Sequence, residues 1–181
     1  MMRVAALGIG LVSTVPAWAV TANVCYNCSC ARHANVNFSV QQMHALRQMF
    51  KCATTPPAER SAIANAIGQF ERFAGEQTLT WRDKGGNAND DGADGRMDCI
   101  GHSTTNTTYL RLLQRLGLLR FHAVLAPVER APLIVNIHWA THIMDRTERQ
   151  EYAVDSWFYD NSQPAVISPL QDWLSGASPD V

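Results

Sequence analysis

The sequence predicts an α+β fold from three observations: two amphipathic helical patterns come first, a further helix opens at Cys99, and the rest of the chain runs in strand-like segments ending in a hairpin. At 181 residues the chain is long enough for one packed core and short for two. From Ser39, a good N-cap, Val40, Met43, Leu46, Met49 and Phe50 recur at helical spacing. Pro56 and Pro57 open a second helix, along which Ile63, Ile67, Phe70 and Phe73 or Ala74 form an apolar stripe. Both faces read as core packing, with Met filling gaps. The stretch GRMDCIGHSTTNTTYLRLLQRLG places Cys99 at or just before the first turn of a third helix that ends at Gly117, a residue suited to a left-handed C-terminal position. Residues 103–108 are mediocre helix formers, so the alternative is a polar loop with the helix starting near Thr107. The runs LRFHAVLAPV, IVNIHWATHIMD and EYAVDSWF are β-branched and aromatic and read as strands, the last two as an antiparallel hairpin. Residues 169–174 close the chain with a short helix.

Fifteen basic residues against sixteen acidic ones leave a formal charge of -1 and no electrostatic footprint for nucleic acid or an anionic membrane. Residues 1–19, with Arg3, an apolar run and Ala17-Trp18-Ala19, match a secretory signal peptide cleaved before Val20. The expected organisation is a signal at 1–19 and a single domain at 20–181. The apolar run is shorter than the roughly 20 residues of a membrane span, so a soluble periplasmic or secreted protein is expected.

Export to an oxidising compartment favours disulfides, and five cysteines leave one thiol over. Two bridges among Cys25, Cys28, Cys30 and Cys52 would leave Cys99 free. Cys28 and Cys30 are too close for an easy mutual bridge, so one of them is expected to reach Cys52. The competing reading is a metal site built from Cys25, Cys28, Cys30 and His33. The loop at 82–98 places Asn87, Asn89, Asp91, Gly92 and Asp98 at positions 1, 3, 5, 6 and 12 of a calcium-loop count. Asn at position 1 and Asp at position 12 make the match poor, and a tight-turning loop that delivers Cys99 is the preferred reading. No cofactor or metal is assigned.

A thiol at a helix N-terminus feels the positive end of the macrodipole, and a neighbouring imidazole can hold it as the reactive thiolate. Downstream of Met97-Asp98-Cys99 come His138-Trp139-Ala140 and Tyr152-Ala153-Val154-Asp155. This order of a helix-opening Cys, a strand-opening His and a strand-ending Asp resembles the transglutaminase-like, papain-like cysteine enzymes over residues 95–158. The segment is also similar to uncharacterised exported proteins of proteobacteria. The resemblance implies a papain- or transglutaminase-like domain with Cys99 as nucleophile, His138 as general base and then acid, and Asp155 orienting the imidazole. It implies an amide or peptide substrate processed through a thioester. No acidic residue follows Cys99 where calcium-dependent members carry ligands.

His142 shares strand parity with His138 and competes for the role of base. With a turn centred on Glu148 and Arg149, Asp155 lies across from His142, and His138 meets it diagonally. His138 has the strand-opening position of the resembling enzymes and is preferred. His33, His44, His102 and His122 have no assignable partner, although His102 lies one turn after Cys99. The competing function is a non-catalytic binding module on the same scaffold. Substrate identity, hydrolysis against transfer, and oligomeric state are left open.

Overall fold

A computed structural model describes residues 18–86, 92–131 and 137–179, and within them the chain is α+β with antiparallel sheets. The expected leader lies almost wholly outside the described residues. Its cleavage point falls inside the first strand, β1 (Trp18–Tyr26), which pairs with β2 (Arg32–Ser39) as a two-stranded hairpin. This hairpin is an addition to what the sequence suggests. Val24, Val36 and Phe38 are buried, while Asn23, Asn35 and Asn37 alternate with them on the exposed face.

Helix α1 (Val40–Lys51) starts at Ser39 with a complete capping box, in which Ser39 and Gln42 exchange side-chain and backbone hydrogen bonds. Helix α2 (Pro56–Gly75) follows the N-cap Thr55 and carries its two prolines at the first positions, where no amide hydrogen is needed. Ile63, Ile67 and Phe70 of its apolar stripe are fully buried. Helix α3 (Cys99–Arg115) runs without a break through residues 103–108, and Gly117 follows it at φ 69°. Tyr109 of α3 stacks on Phe70 of α2 at 4.6 Å between ring centroids, and Phe38 of β2 meets Phe70 edge-on at 5.0 Å.

The second sheet is built from β3 (His122–Val124), β4 (Val128–Arg130), β5 (His138–Asp145), β6 (Glu151–Asp155) and β7 (Val166–Pro169), all antiparallel. β3 and β4 share one edge of β5, while β6 takes the other and β7 follows it. Helix α4 (Leu170–Leu174) returns against Ala140 and Ala153.

Helix α3 packs between the N-terminal hairpin and this sheet. Its weak helix formers are what join it to both. Thr105 accepts a hydrogen bond from the Cys25 amide at 3.1 Å and donates to the Cys25 carbonyl at 3.2 Å. Thr141 of β5 donates to the Ser103 carbonyl at 2.9 Å and lies 3.2 Å from the Thr107 hydroxyl. Their helix propensity is overridden by these tertiary bonds.

Two expectations need correction. The β5–β6 register places His142 opposite Ala153 and Thr141 opposite Val154, so Asp155 is not across from His142. The turn closes earlier than assumed because the Asp145 carboxylate accepts the Thr147 and Glu148 amides at 2.7 and 3.1 Å, with Arg149 left-handed at φ 61°. The cysteines also form one bridge, Cys25–Cys30, while Cys52 stays a free, exposed thiol beyond α1 and Cys28 is unbridged. The 3₁₀ turn Cys28–Cys30 folds back on β1 and brings Cys30, not Cys28, to Cys25.

Candidate active site

Cys99 is a free, partly exposed thiol at the first position of α3. The preceding residue sets its place. Asp98 is the N-cap and its carboxylate accepts the Gly101 amide at 2.8 Å through one oxygen and the Ser29 amide at 2.6 Å through the other. One side chain thus ends the loop, starts the helix and fastens the disulfide-closed turn to it. Upstream, Asp83 accepts the Met97 amide at 2.7 Å, and the Asn27 side chain accepts the Gly95 amide at 2.9 Å while the Asn27 backbone N–H donates to the Arg96 carbonyl at 2.7 Å. Gly95 sits at φ 93°, where a Cβ would collide with the Leu79 carbonyl oxygen.

His138 opens β5 and Asp155 closes β6, and the two meet with Nε2 to Oδ2 at 2.7 Å. Both are largely buried. The imidazole also interacts with the Cys99 thiol, which is among the causes that raise its pKa. Because Nε2 is engaged by Asp155, Nδ1 is the nitrogen left for the sulfur. Burial by itself would lower the His138 pKa, but the Asp155 and Cys99 hydrogen bonds and the Asp155 charge override it and raise the value to about 9.

The carboxylate is held from several sides. Asp155 Oδ2 also accepts the Trp173 indole N–H at 3.1 Å, and Oδ1 accepts the Trp157 amide at 3.1 Å. The rings of Trp157, Phe158 and Trp173 surround His138 with centroids at 4.9, 5.7 and 5.8 Å. These aromatic residues were not singled out from the sequence. The Trp157-Phe158 pair two residues after Asp155 was the available signal for that half of the cage, whereas Trp173 arrives from α4.

His102 is the larger omission. One turn after Cys99 it is buried with Nε2 2.9 Å from Asp83 Oδ2 and Nδ1 3.7 Å from Glu71 Oε1, and Nδ1 lies 2.8 Å from the Ser156 hydroxyl. Asn106 donates to the same hydroxyl at 2.8 Å. Burial opposes its charge, yet the Asp83 and Glu71 carboxylates raise its pKa to about 10 and so favour the imidazolium. This cluster links the loop before Cys99, the first turn of α3 and the residue after Asp155.

The other histidines are occupied elsewhere. His142 Nε2 lies 3.2 Å from Glu151 Oε2. His122 bonds Glu59 at 2.9 Å, His33 bonds Asn23 at 3.0 Å and His44 bonds Gln48 at 2.6 Å. Among the described residues no group of three or more His, Cys, Asp or Glu side chains could hold a metal ion. Cys25 and Cys30 are spent on each other, which removes two thiolates from the metal site considered above. Asn87, Asn89 and Asp91 of the calcium-loop count lie outside the described residues, and Asp98 is used as a helix cap. No helix among the described residues is long and apolar enough to cross a membrane.

A helix-opening thiol that interacts with a carboxylate-paired imidazole has the groups that nucleophilic acyl transfer needs. No family model, curated protein or solved structure matches this chain.

Proposed function

We propose that this protein is an exported cysteine hydrolase or acyltransferase of the transglutaminase-like, papain-like kind, acting on an amide bond through a thioester. The observation that carries the reading is the His138 imidazole, held by Asp155 at 2.7 Å and raised in pKa in part by Cys99, the free thiol that opens α3.

In this reading Cys99 passes its proton to His138 Nδ1, giving a thiolate and an imidazolium at the positive end of α3. The sulfur attacks the amide carbon, a C–S bond forms and the carbonyl π electrons move to oxygen. The Cys99 backbone N–H has no intrahelical acceptor at the first helical position and serves as a donor to that oxyanion. Collapse breaks the C–N bond, and the leaving nitrogen takes the proton from His138. Water, or an acceptor amine, then gives a proton to His138 as it attacks the thioester. The C–S bond breaks, the acyl group leaves as acid or new amide, and Cys99 regains its starting state.

The test is active-site alkylation of the exported, oxidised protein with iodoacetamide, mapped by peptide mass spectrometry. Cys99 is expected to react faster than Cys28 and Cys52 at pH 6. A Cys99 that reacts no faster than a free model thiol overturns the enzymatic reading and leaves a binding module on the same scaffold.

A further inference from the structure

β4 runs beside β5 in a register that places Arg130 directly opposite His138. Directly opposed residues of an antiparallel pair point to the same side of the sheet, so Arg130 shares the face of His138. Its guanidinium lies over the Trp173 ring at 4.6 Å, and its Nη1 donates to the Trp173 carbonyl at 2.6 Å and to the Ala177 carbonyl at 2.9 Å. Trp173 in turn donates its indole N–H to Asp155 Oδ2, the same oxygen that holds His138 Nε2. Arg130 is thus joined to His138 from cation to ring, from ring to carboxylate and from carboxylate to imidazole.

Helix α4 has five residues, too few to keep its shape by its own hydrogen bonds. The place of Trp173 therefore comes from outside the helix. Burial of Leu170 and Trp173 supplies one anchor, and Arg130 supplies another by tying down the Trp173 carbonyl and the Ala177 carbonyl beyond the helix end. A planar guanidinium can stack on the indole while it holds two carbonyls, which an ammonium does not match. Burial pushes the Arg130 pKa below its ordinary value and the Asp155 charge acts the other way, so cation and carboxylate feel each other.

We propose that Arg130 is a positioning residue of the site: it clamps the end of α4 so that the Trp173 indole stays bonded to Asp155, and its positive charge draws off part of the pull that the carboxylate exerts on His138. The proposal rests on the cysteine-enzyme reading above and adds to it a residue that acts through Asp155. The charged and titratable groups about His138 are Asp155 of β6, Cys99 of α3 and, across the strand pair, Arg130 of β4. The segment after β6 and α4 present the rings of Trp157, Phe158 and Trp173. An imidazole serves as base and then acid best when its pKa is near the working pH, and a cation beside its carboxylate partner moves it in that direction.

The experiment follows the full oxidised chain by NMR, reading exchange of the Trp173 indole N–H and the titration of the His138 ring. Exchange at the amide of Leu113, fully buried on α3, reports global stability. Arg130→Lys keeps the charge and loses the clamp, whereas Arg130→Gln and Arg130→Met, two neutral replacements, lose both. In all three, indole exchange should quicken by about tenfold or more relative to Leu113. The His138 midpoint should lie higher in the neutral variants than in Arg130→Lys, by roughly half a pH unit or more. A replacement that merely loosened the site would instead move the midpoint down, toward the ordinary value of 6.5.

Unchanged indole exchange in the three variants overturns the clamp, and a midpoint in the neutral variants at or below that of Arg130→Lys overturns the role of the charge. Either result, with fast iodoacetamide labelling of Cys99, leaves the enzymatic reading standing. Both shifts as expected, with Cys99 labelled no faster than a free thiol, support the hold of Arg130 on the Asp155–His138 pair and overturn the enzymatic reading alone.

Discussion

His138 has two partners, the Asp155 carboxylate at Nε2 and the Cys99 thiol, and its protonation follows from them. Its pKa is raised to about 9 chiefly by the Asp155 and Cys99 hydrogen bonds acting against burial. A ring titration followed by NMR should have its midpoint near pH 9, and Asp155→Asn should move it downward. Amide turnover that needs the imidazolium to protonate a leaving group should fall as pH rises through about 9, with the fall displaced to lower pH in Asp155→Asn. His138→Ala should slow Cys99 alkylation at pH 6 on the order of 100-fold. His142→Ala should leave that rate largely intact, because its ring lies against Glu151. Loss of the reactivity in His142→Ala, and its survival in His138→Ala, would reassign the base.

Helix α3 is the element on which the site depends, because its first turn bears the thiol and its next turns bond the hairpin and the sheet. Asp98→Ala removes the N-cap bond to Gly101 and the bond to Ser29 together. Cap loss alone costs about 1 kcal/mol, and the chemical-denaturation midpoint should show at least that. The mutant should also release the turn at Cys28–Cys30, seen as faster amide exchange at Ser29. His102→Gln tests the second tie. It leaves Glu71 and Asp83 buried without their cation, a change that costs about 3–5 kcal/mol. Alkylation of Cys99 should slow in the same mutant, because Met97 is placed by Asp83 and Ser156 by His102. Full stability in His102→Gln would show that the cluster carries no net charge to compensate.

For the whole molecule, the shifted groups define a stability window. His102 and His138 have folded pKa values raised to about 10 and about 9, against ordinary values of 6.5. Their contribution is therefore complete below about pH 6.5 and is lost as pH rises through 9 and 10. Glu59 is shifted the other way: burial would raise it, but the bonds from His122 and the 120–122 backbone amides hold its carboxyl below the usual value. That contribution is present above its ordinary value of 4.5 and is lost on acidification. Urea unfolding measured from pH 3 to 10 should show a maximum near pH 5 to 6.5 and a decline on the alkaline side that is shallower in His102→Gln. A flat alkaline limb in the unaltered protein would contradict the buried imidazolium.

Much of this architecture was legible before any coordinates. Capping residues, proline placement and apolar periodicity are local, so Ser39, the Pro56-Pro57 pair and the stripe along α2 could be read directly, as could the helix opening at Cys99. The N-terminal hairpin is an addition of the tertiary structure: Val24, Val36 and Phe38 alternate with polar neighbours, but the cysteines in the same stretch point first to disulfides. The hairpin register was misplaced by the turn, where one Asp145 carboxylate binding two amides outweighed a symmetric guess.

The order of Cys99, His138 and Asp155, with their positions at element ends, is a property of the sequence, since local signals specify where a helix or strand begins. What only the tertiary structure decided is which side chains touch. The 2.7 Å bond from His138 to Asp155, the Trp173 indole from α4 and the burial of His102 between Glu71 and Asp83 all join residues that chain spacing does not bring together. Their protonation follows from that proximity, because the energy of a buried charge is set by its distance to a partner and by the exclusion of water.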